Sequence, residues 1–178
     1  MAEASFSSRA KALDWLLFDV DGVLTDGRLW YTADGEQIKA FHVRDGLAFK
    51  LAQRAGLKVG VFTGRTSPPL ERRCKDLGFD EAIFGSKDKR ADFSAFLERH
   101  GTSPERVAFT GDDLIDLPVL GRVGLACCPS DAVVEVQAVV HHKLHTPGGH
   151  GAARELIERV LKARGAWQGL VDGYAPEL

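Results

Sequence analysis

Asp19 and Asp21 lie two residues apart at the end of an apolar run that begins at Trp15. In an extended segment, residues i and i+2 point to the same side. Two such carboxylates repel one another unless a cation or a shared proton relieves them. A hard, oxygen-preferring ion such as Mg²⁺ suits them, the more so with a third carboxylate from Asp112. One carboxylate can then attack phosphorus while the other gives a proton to the leaving alcohol. Thr63 can hydrogen-bond a phosphoryl oxygen and Lys89 can neutralise one. Positioning and charge stabilisation of this kind are most of what phosphoryl transfer asks of a protein. Taken singly the signals are weak, because acidic residues after a strand are often turn formers or caps. A lone Lys89 reads as a solvated lysine, and Lys87, two residues earlier, is a weaker candidate for the same role. It is the ordered set, each member at the end of a strand-like run, that points to one site.

Those runs must position the set. Trp15 to Val20 reads as a buried strand ending in the loop DVDGVLTDG. Leu29–Thr32 and Ile38–Val43, with Asp34-Gly35 between them, read as an inserted hairpin. Strand and helix then alternate. A helix over Asp45–Ala55 precedes the strand Leu57–Phe62, and Ser67-Pro68 starts a helix that stops at Gly78. Further strands are expected at 81–84, 106–110, 123–127 and 139–142, with helices at 88–100, 131–137 and 151–163, a helix ending at Leu120, and an irregular tail over 165–178. Such alternation predicts an α/β fold: a mostly parallel sheet in three Rossmann-like layers, carrying a hairpin and no cap domain. Asp19, Asp21, Thr63, Lys89, Asp112 and Asp113 would then gather at the carboxyl edge of the sheet, where open parallel sheets bind ligands.

The motifs DVDGVLTDG (19–27), FTGR (62–65), Lys89 and GDDLID (111–116) resemble those of the haloacid dehalogenase superfamily. The resemblance implies that Asp19 is the nucleophile and Asp21 the general acid/base. It implies that Asp112 ligates Mg²⁺ together with Asp19 and the Asp21 carbonyl, with Asp113 in support. It implies that Thr63, Gly64 and Lys89 hold phosphate. The hairpin, RDG at 44–46, TGR and GGHGAARE at 148–155 narrow the likeness to the small capless branch, over a stretch from about Trp15 nearly to the end. Members of that branch are homotetramers in which a neighbour helps cover each site, and the best known acts on an eight-carbon sugar-acid phosphate on the way to bacterial lipopolysaccharide. The 41 residues between Asp21 and Thr63 hold one hairpin and one helix, which agrees with the absence of a lid. Arg65 is a candidate for the sugar carboxylate, since guanidinium forks suit carboxylates. Relatives acting on nine-carbon sugar acids tend to carry an acidic residue there. His150 stands where relatives commonly carry arginine, and it can meet an anion only when protonated.

The remaining composition excludes other classes. A chain of 178 residues with 44% apolar and 27% charged residues suits one globular domain. A net charge of −2 gives no basic field for nucleic acid or an anionic membrane. Three cysteines at 74, 127 and 128 form neither a disulfide framework nor a zinc spacing. No apolar run reaches spanning length and the first ten residues lack a signal-like core, so the cytoplasm is expected. His141, His142, His145 and His150 are read as surface or interface residues rather than a zinc or nickel site. The rival from another class is a phospho-accepting signalling receiver. It is disfavoured because Thr63, not an acceptor aspartate, ends the strand at Phe62. An inactive assembly protein is disfavoured by the complete motif set.

Overall fold

The computed structural model describes residues 5–174. Six parallel strands form one sheet in the order β5-β4-β1-β6-β7-β8: β1 (Trp15–Phe18), β4 (Lys58–Phe62), β5 (Glu81–Ile83), β6 (Val107–Thr110), β7 (Leu125–Cys128) and β8 (His142–Lys143). Between β1 and β4, the strands β2 (Trp30–Thr32) and β3 (Gly35–Ile38) form the separate antiparallel hairpin. The central strand β1 is buried along its whole length because helices cover both faces of the sheet. Its side chains divide with period two. Leu16 and Phe18 join the core under α1 (Phe6–Ala12), α2 (Val43–Arg54), α3 (Pro68–Leu77) and α7 (Ala152–Ala163). Trp15 and Leu17 join the core under α4 (Lys89–His100), α5 (Leu117–Leu120) and α6 (Val134–Gln137). On α7, Ala153, Leu156, Ile157, Val160 and Leu161 form the stripe at helical spacing that seats the helix on the sheet. Truncating a fully buried member such as Leu156 to alanine would cost about 2–5 kcal/mol.

Several elements depart from the sequence reading. The second hairpin strand runs over Gly35–Ile38 instead of 38–43, because the turn is as short as Ala33-Asp34 and α2 already begins at Val43. The region after Asp112 is a 3-10 turn, Leu114–Asp116, leading into the single turn of α5, with Pro118 in its first turn. The first ten residues contain most of α1, whose N-cap Ser5 accepts from Ser8 N at 3.3 Å. The tail contains α8 (Trp167–Asp172), where an irregular segment was expected. Trp167 lies under the Arg154 guanidinium at 4.9 Å, and Trp167 and Leu170 pack on the α2/α7 core, which is reason enough for a short helix to form. The expected tail beyond residue 174 lies outside the described residues. Cys127 and Cys128 are buried and unpaired, as small apolar residues of β7.

Candidate active site

The sheet register brings the scattered motifs together. Phe18 pairs with Val61 on one side and with Thr110 on the other. Asp19 continues the ladder by one residue, its N–H donating to Thr110 O at 2.9 Å. Thr63 and Asp112 therefore flank Asp19 on the adjacent strand ends. Beyond Asp19 the chain closes a tight loop. The N–H groups of Leu24 and Thr25 donate to Val20 O at 2.9 and 3.0 Å, and the buried Thr25 hydroxyl donates to the same carbonyl at 3.3 Å. That closure explains the threonine of DxDGxxT. Gly22, at φ +90°, could not be replaced, since a Cβ there would stand 2.0 Å from Asp112 Oδ2. Gly148 packs as closely from the other side, where a Cβ would meet Gly22 O at 1.9 Å. The glycine-rich stretch 148–151 thus braces the loop that carries Asp19 and Asp21.

At the centre, Lys89 Nζ donates to Asp19 Oδ1 at 2.8 Å and to Asp116 Oδ1 at 2.6 Å, with all three side chains buried. Lys89 is the first residue of α4, where the helix dipole disfavours a cation. The two carboxylates, and the rings of Phe62 and Phe109 at 5.5 and 5.6 Å, hold it there. Burial works against the ammonium, but Asp19 and Asp116 outweigh it and keep Lys89 above its ordinary pKa. Asp116 Oδ2 also accepts from the backbone N–H of Asp112 at 2.9 Å, so one carboxylate fixes both the lysine and the Asp112 loop.

Asp19, Asp112 and Asp116 each present an oxygen within 4.8 Å of the others. Three carboxylates against one ammonium leave the cluster short of positive charge. Burial, then the Asp116 carboxylate, push Asp19 up to about 7. Burial, then Asp19 and its acidic neighbours, push Asp112 up to about 8. Asp112 Oδ1 is buried and has no hydrogen-bond partner. An orphaned buried carboxylate oxygen beside two more carboxylates is what an oxygen-ligated divalent cation requires, so these residues fit such an ion.

The other expected residues fall around this centre. Thr63 is buried, and its Oγ1 accepts from Arg65 N at 3.3 Å. Lys87 is exposed, so Lys89 is the lysine of the cluster. Gly64 lies open enough for a Cβ to meet only Ser86 O at 3.5 Å and Ile115 Cδ1 at 4.0 Å. Asp21 is half-buried and bonded to Lys39, while Arg65 Nε lies 3.6 Å from its Oδ2. The Arg65 guanidinium also donates to Tyr31 Oη on the hairpin at 2.7 Å. Asp113 is not brought into the cluster. It is exposed and caps the 3-10 turn, accepting from Leu114 N at 2.7 Å. His150 is not brought there either. Its Nδ1 lies 2.7 Å from Gly148 O, and it lines a pocket of about 290 Å³ with His42, Arg44 and Arg154 that shares no residue with the carboxylate cluster. The four histidines do not converge: His145 pairs with Glu155, His142 meets Phe6 edge to face, and His141 Nδ1 accepts from Ala126 N. Two residues of the site escaped the sequence reading. Asp116 was legible, since it closes the acidic motif GDDLID that also holds Asp112. Lys39 carried no signal, because only the fold returns the hairpin to Asp21.

Comparison with known proteins agrees with this geometry. The sequence profile of the haloacid dehalogenase-like hydrolases matches residues 42–124. A 3-deoxy-D-manno-octulosonate 8-phosphate phosphatase of Haemophilus influenzae is 42% identical over 153 residues, spanning 86% of this chain and 85% of that one. The chain belongs to the haloacid dehalogenase-like hydrolases. Among solved structures of this family, the cobalt-bound Haemophilus influenzae phosphatase superposes with a TM-score of 0.87 at 41% identity, covering 89% of this chain and 93% of that one. The Moraxella catarrhalis 3-deoxy-D-manno-octulosonate 8-phosphate phosphatase, in complex with magnesium, phosphate and the free sugar acid, superposes with a TM-score of 0.91 at 32% identity, covering 94% and 97%. The six-stranded parallel sheet is thus shared with solved phosphatases of this family, two of which hold a metal ion.

Proposed function

We propose that this hydrolase is a single-domain, Mg²⁺-dependent phosphatase that converts 3-deoxy-D-manno-octulosonate 8-phosphate into the free sugar acid and phosphate, through an aspartyl-phosphate on Asp19. The observation that carries the reading is the cluster of Asp19, Asp112 and Asp116, with Lys89 bonded to two of them at the carboxyl edge of the sheet. Asp19 and Asp112, with the Asp21 carbonyl, would hold the cation. When bound, it neutralises phosphoryl charge and lowers the repulsion that an anionic nucleophile meets. The Asp19 carboxylate attacks phosphorus, and the bond from phosphorus to the sugar oxygen breaks. Asp21 gives its proton to that oxygen, then takes one from the water that attacks the aspartyl-phosphate, so that Asp19 is released. Lys89 keeps Asp19 aimed and, with Thr63 and the Gly64 N–H, receives the phosphoryl oxygens. Asp116 fixes Lys89, and Asp113 supports the turn they share. Arg65 is assigned to the sugar carboxylate, which favours the eight-carbon acid over nine-carbon relatives, and His150 to a more distant substrate contact.

The exposed apolar residues of the hairpin, Trp30 at 56%, Tyr31 at 62% and Ile38 at 57%, support assembly with further copies, read here as a homotetramer. A cytoplasmic site of action fits three unpaired cysteines. Among the described residues, no helix is long and apolar enough to cross a membrane. Phosphate release should be measured on eight- and nine-carbon sugar-acid phosphates and hexose phosphates, with Mg²⁺ and with chelator. The reading requires the highest kcat/KM on the eight-carbon substrate and no turnover under chelation. A hexose phosphate preferred over both sugar acids would refute it.

A further inference from the structure

We propose that Lys39 is a positioning residue that orients the Asp21 carboxylate for proton transfer, so that the hairpin completes the site of its own chain. The inference rests on the reading of Asp21 as the group that protonates the leaving oxygen. Lys39 lies one residue past β3, and its side chain is 2% exposed although the hairpin around it is largely open to solvent. Lysine is seldom buried so deeply unless it is paired, and here the ammonium is bonded to Asp21 Oδ1. Asp21 stands on a loop rather than on the sheet, so no strand ladder fixes its side chain. Its other oxygen faces Arg65 at 3.6 Å, and Arg65 is itself bonded to Tyr31 of β2. Both arms of the hairpin therefore reach Asp21, one directly through Lys39 and one through Arg65. Of the two cations Arg65 is the looser, with a side chain 43% exposed. Lys39 is the firmer restraint.

The consequence depends on the leaving group. In the first step the bond from Asp19 oxygen to phosphorus forms, the bond from phosphorus to the leaving oxygen breaks, and Asp21 delivers a proton to an alkoxide. A 4-nitrophenolate leaves without that proton. For either substrate kcat/KM reports the steps up to transfer of phosphate to Asp19, leaving aside the later attack of water. Misorienting Asp21 should therefore damage an alkyl phosphate and spare an aryl one. A group that merely bound phosphate would affect both alike, and one that merely held the hairpin would act through Arg65, raising KM for the sugar-acid phosphate while leaving its kcat intact, so kcat and KM are read separately as well as in ratio.

The test measures kcat/KM of wild type, K39M, K39R and D21N on 3-deoxy-D-manno-octulosonate 8-phosphate and on 4-nitrophenyl phosphate, with Mg²⁺ present. For K39M the sugar-acid phosphate should fall roughly 10²-fold and the aryl phosphate less than about threefold, general acid catalysis by a positioned side chain being worth about 10²–10⁴. K39R should recover most of the sugar-phosphate loss, D21N should show the same split, and K39M should add little to D21N. The split is a ratio taken on one preparation, so partial unfolding of a variant cancels from it. Equal losses on the two substrates, or no loss on either, would overturn the proposal. If D21N shows no split, the role given to Asp21 is wrong and the inference falls with it. A wild type inactive on both substrates would instead sink the phosphatase reading itself.

Discussion

Asp19 and Asp21 are two residues apart, and each is bonded to a lysine that is distant in sequence, yet they are held in different ways. Asp19 is locked into the sheet by its backbone bond to Thr110, and its lysine comes from the first turn of α4 and is shared with Asp116. Asp21 stands just past the end of the sheet, half-buried, and its cations Lys39 and Arg65 are tied to the hairpin. The group read as nucleophile is fixed by the core. The group read as proton carrier is fixed by a projection that the core does not grip. A reaction of this kind gains from that division. Attack on phosphorus demands an immobile oxygen, whereas the proton must go first to an alcohol and then come from water.

The largest effect that would test this contrast lies on the Asp19 side. Asp19→Asn should lower turnover by at least about 10⁴-fold, with circular dichroism and oligomeric state unchanged, because the substitution alters charge and hardly shape. Asp116→Ala should follow. Removing one partner of a buried ion pair costs about 3–5 kcal/mol, so denaturant midpoints should fall steeply, and activity should fall with the loosened Lys89. Arg65→Met, on the hairpin side, should raise KM for the sugar-acid phosphate with little change in kcat, by the equivalent of about 1.5–3 kcal/mol for a charge-assisted hydrogen bond. It should leave 4-nitrophenyl phosphate nearly unaffected. The smallest effect belongs to Asp113→Ala, which should remove an exposed cap worth about 1 kcal/mol and spare the chemistry. A loss of activity as large as that of Asp112→Ala would contradict the division drawn between those adjacent aspartates.

The pH dependence of stability reports on the buried carboxylate cluster. Asp19 and Asp112 are raised to about 7 and about 8 in the protein without metal. Between the unfolded carboxylate range near pH 4 and those values, the folded state binds more protons than the unfolded one. The contribution of these groups to stability is therefore fully present below about pH 4 and is lost as pH rises toward 8. Mg²⁺ binds the deprotonated form and should reverse the trend. Its stabilising shift of Tm should be larger at pH 8.5 than at pH 5.5, with protons released on binding. A shift of Tm by Mg²⁺ that is independent of pH would mean that the carboxylates do not hold the ion.

Much of this was legible in the sequence. The order of strands and helices followed from apolar runs and glycine stops, and the strand ends carrying Asp19, Thr63 and Asp112 do meet at one edge of the sheet. Asp116 could have been found as the close of the motif GDDLID. What could not be read was contact made through space without local pattern. Lys39 approaches Asp21 only once the hairpin folds back, and the pairing of Tyr31 with Arg65 depends on the same return. Trp167 gave no sign of a helix because the groups it packs on belong to α7, which no local periodicity of the tail reveals. Nor did any local pattern show that His150 lies over the pocket it lines with His42, Arg44 and Arg154, a placement that depends on the packing of Gly148 against Gly22.

The covalent role of Asp19 can be met head on by mixing Asp21→Asn, in which hydrolysis of the intermediate should be slow, with Mg²⁺ and 4-nitrophenyl phosphate, whose leaving group needs no proton. Borohydride quenching and peptide mass spectrometry would follow, since reduction of an acyl phosphate leaves homoserine. The account predicts homoserine at position 19 in a large fraction of chains, and none when substrate or Mg²⁺ is omitted. Homoserine at another aspartate, or full turnover with position 19 unmodified throughout, would contradict it.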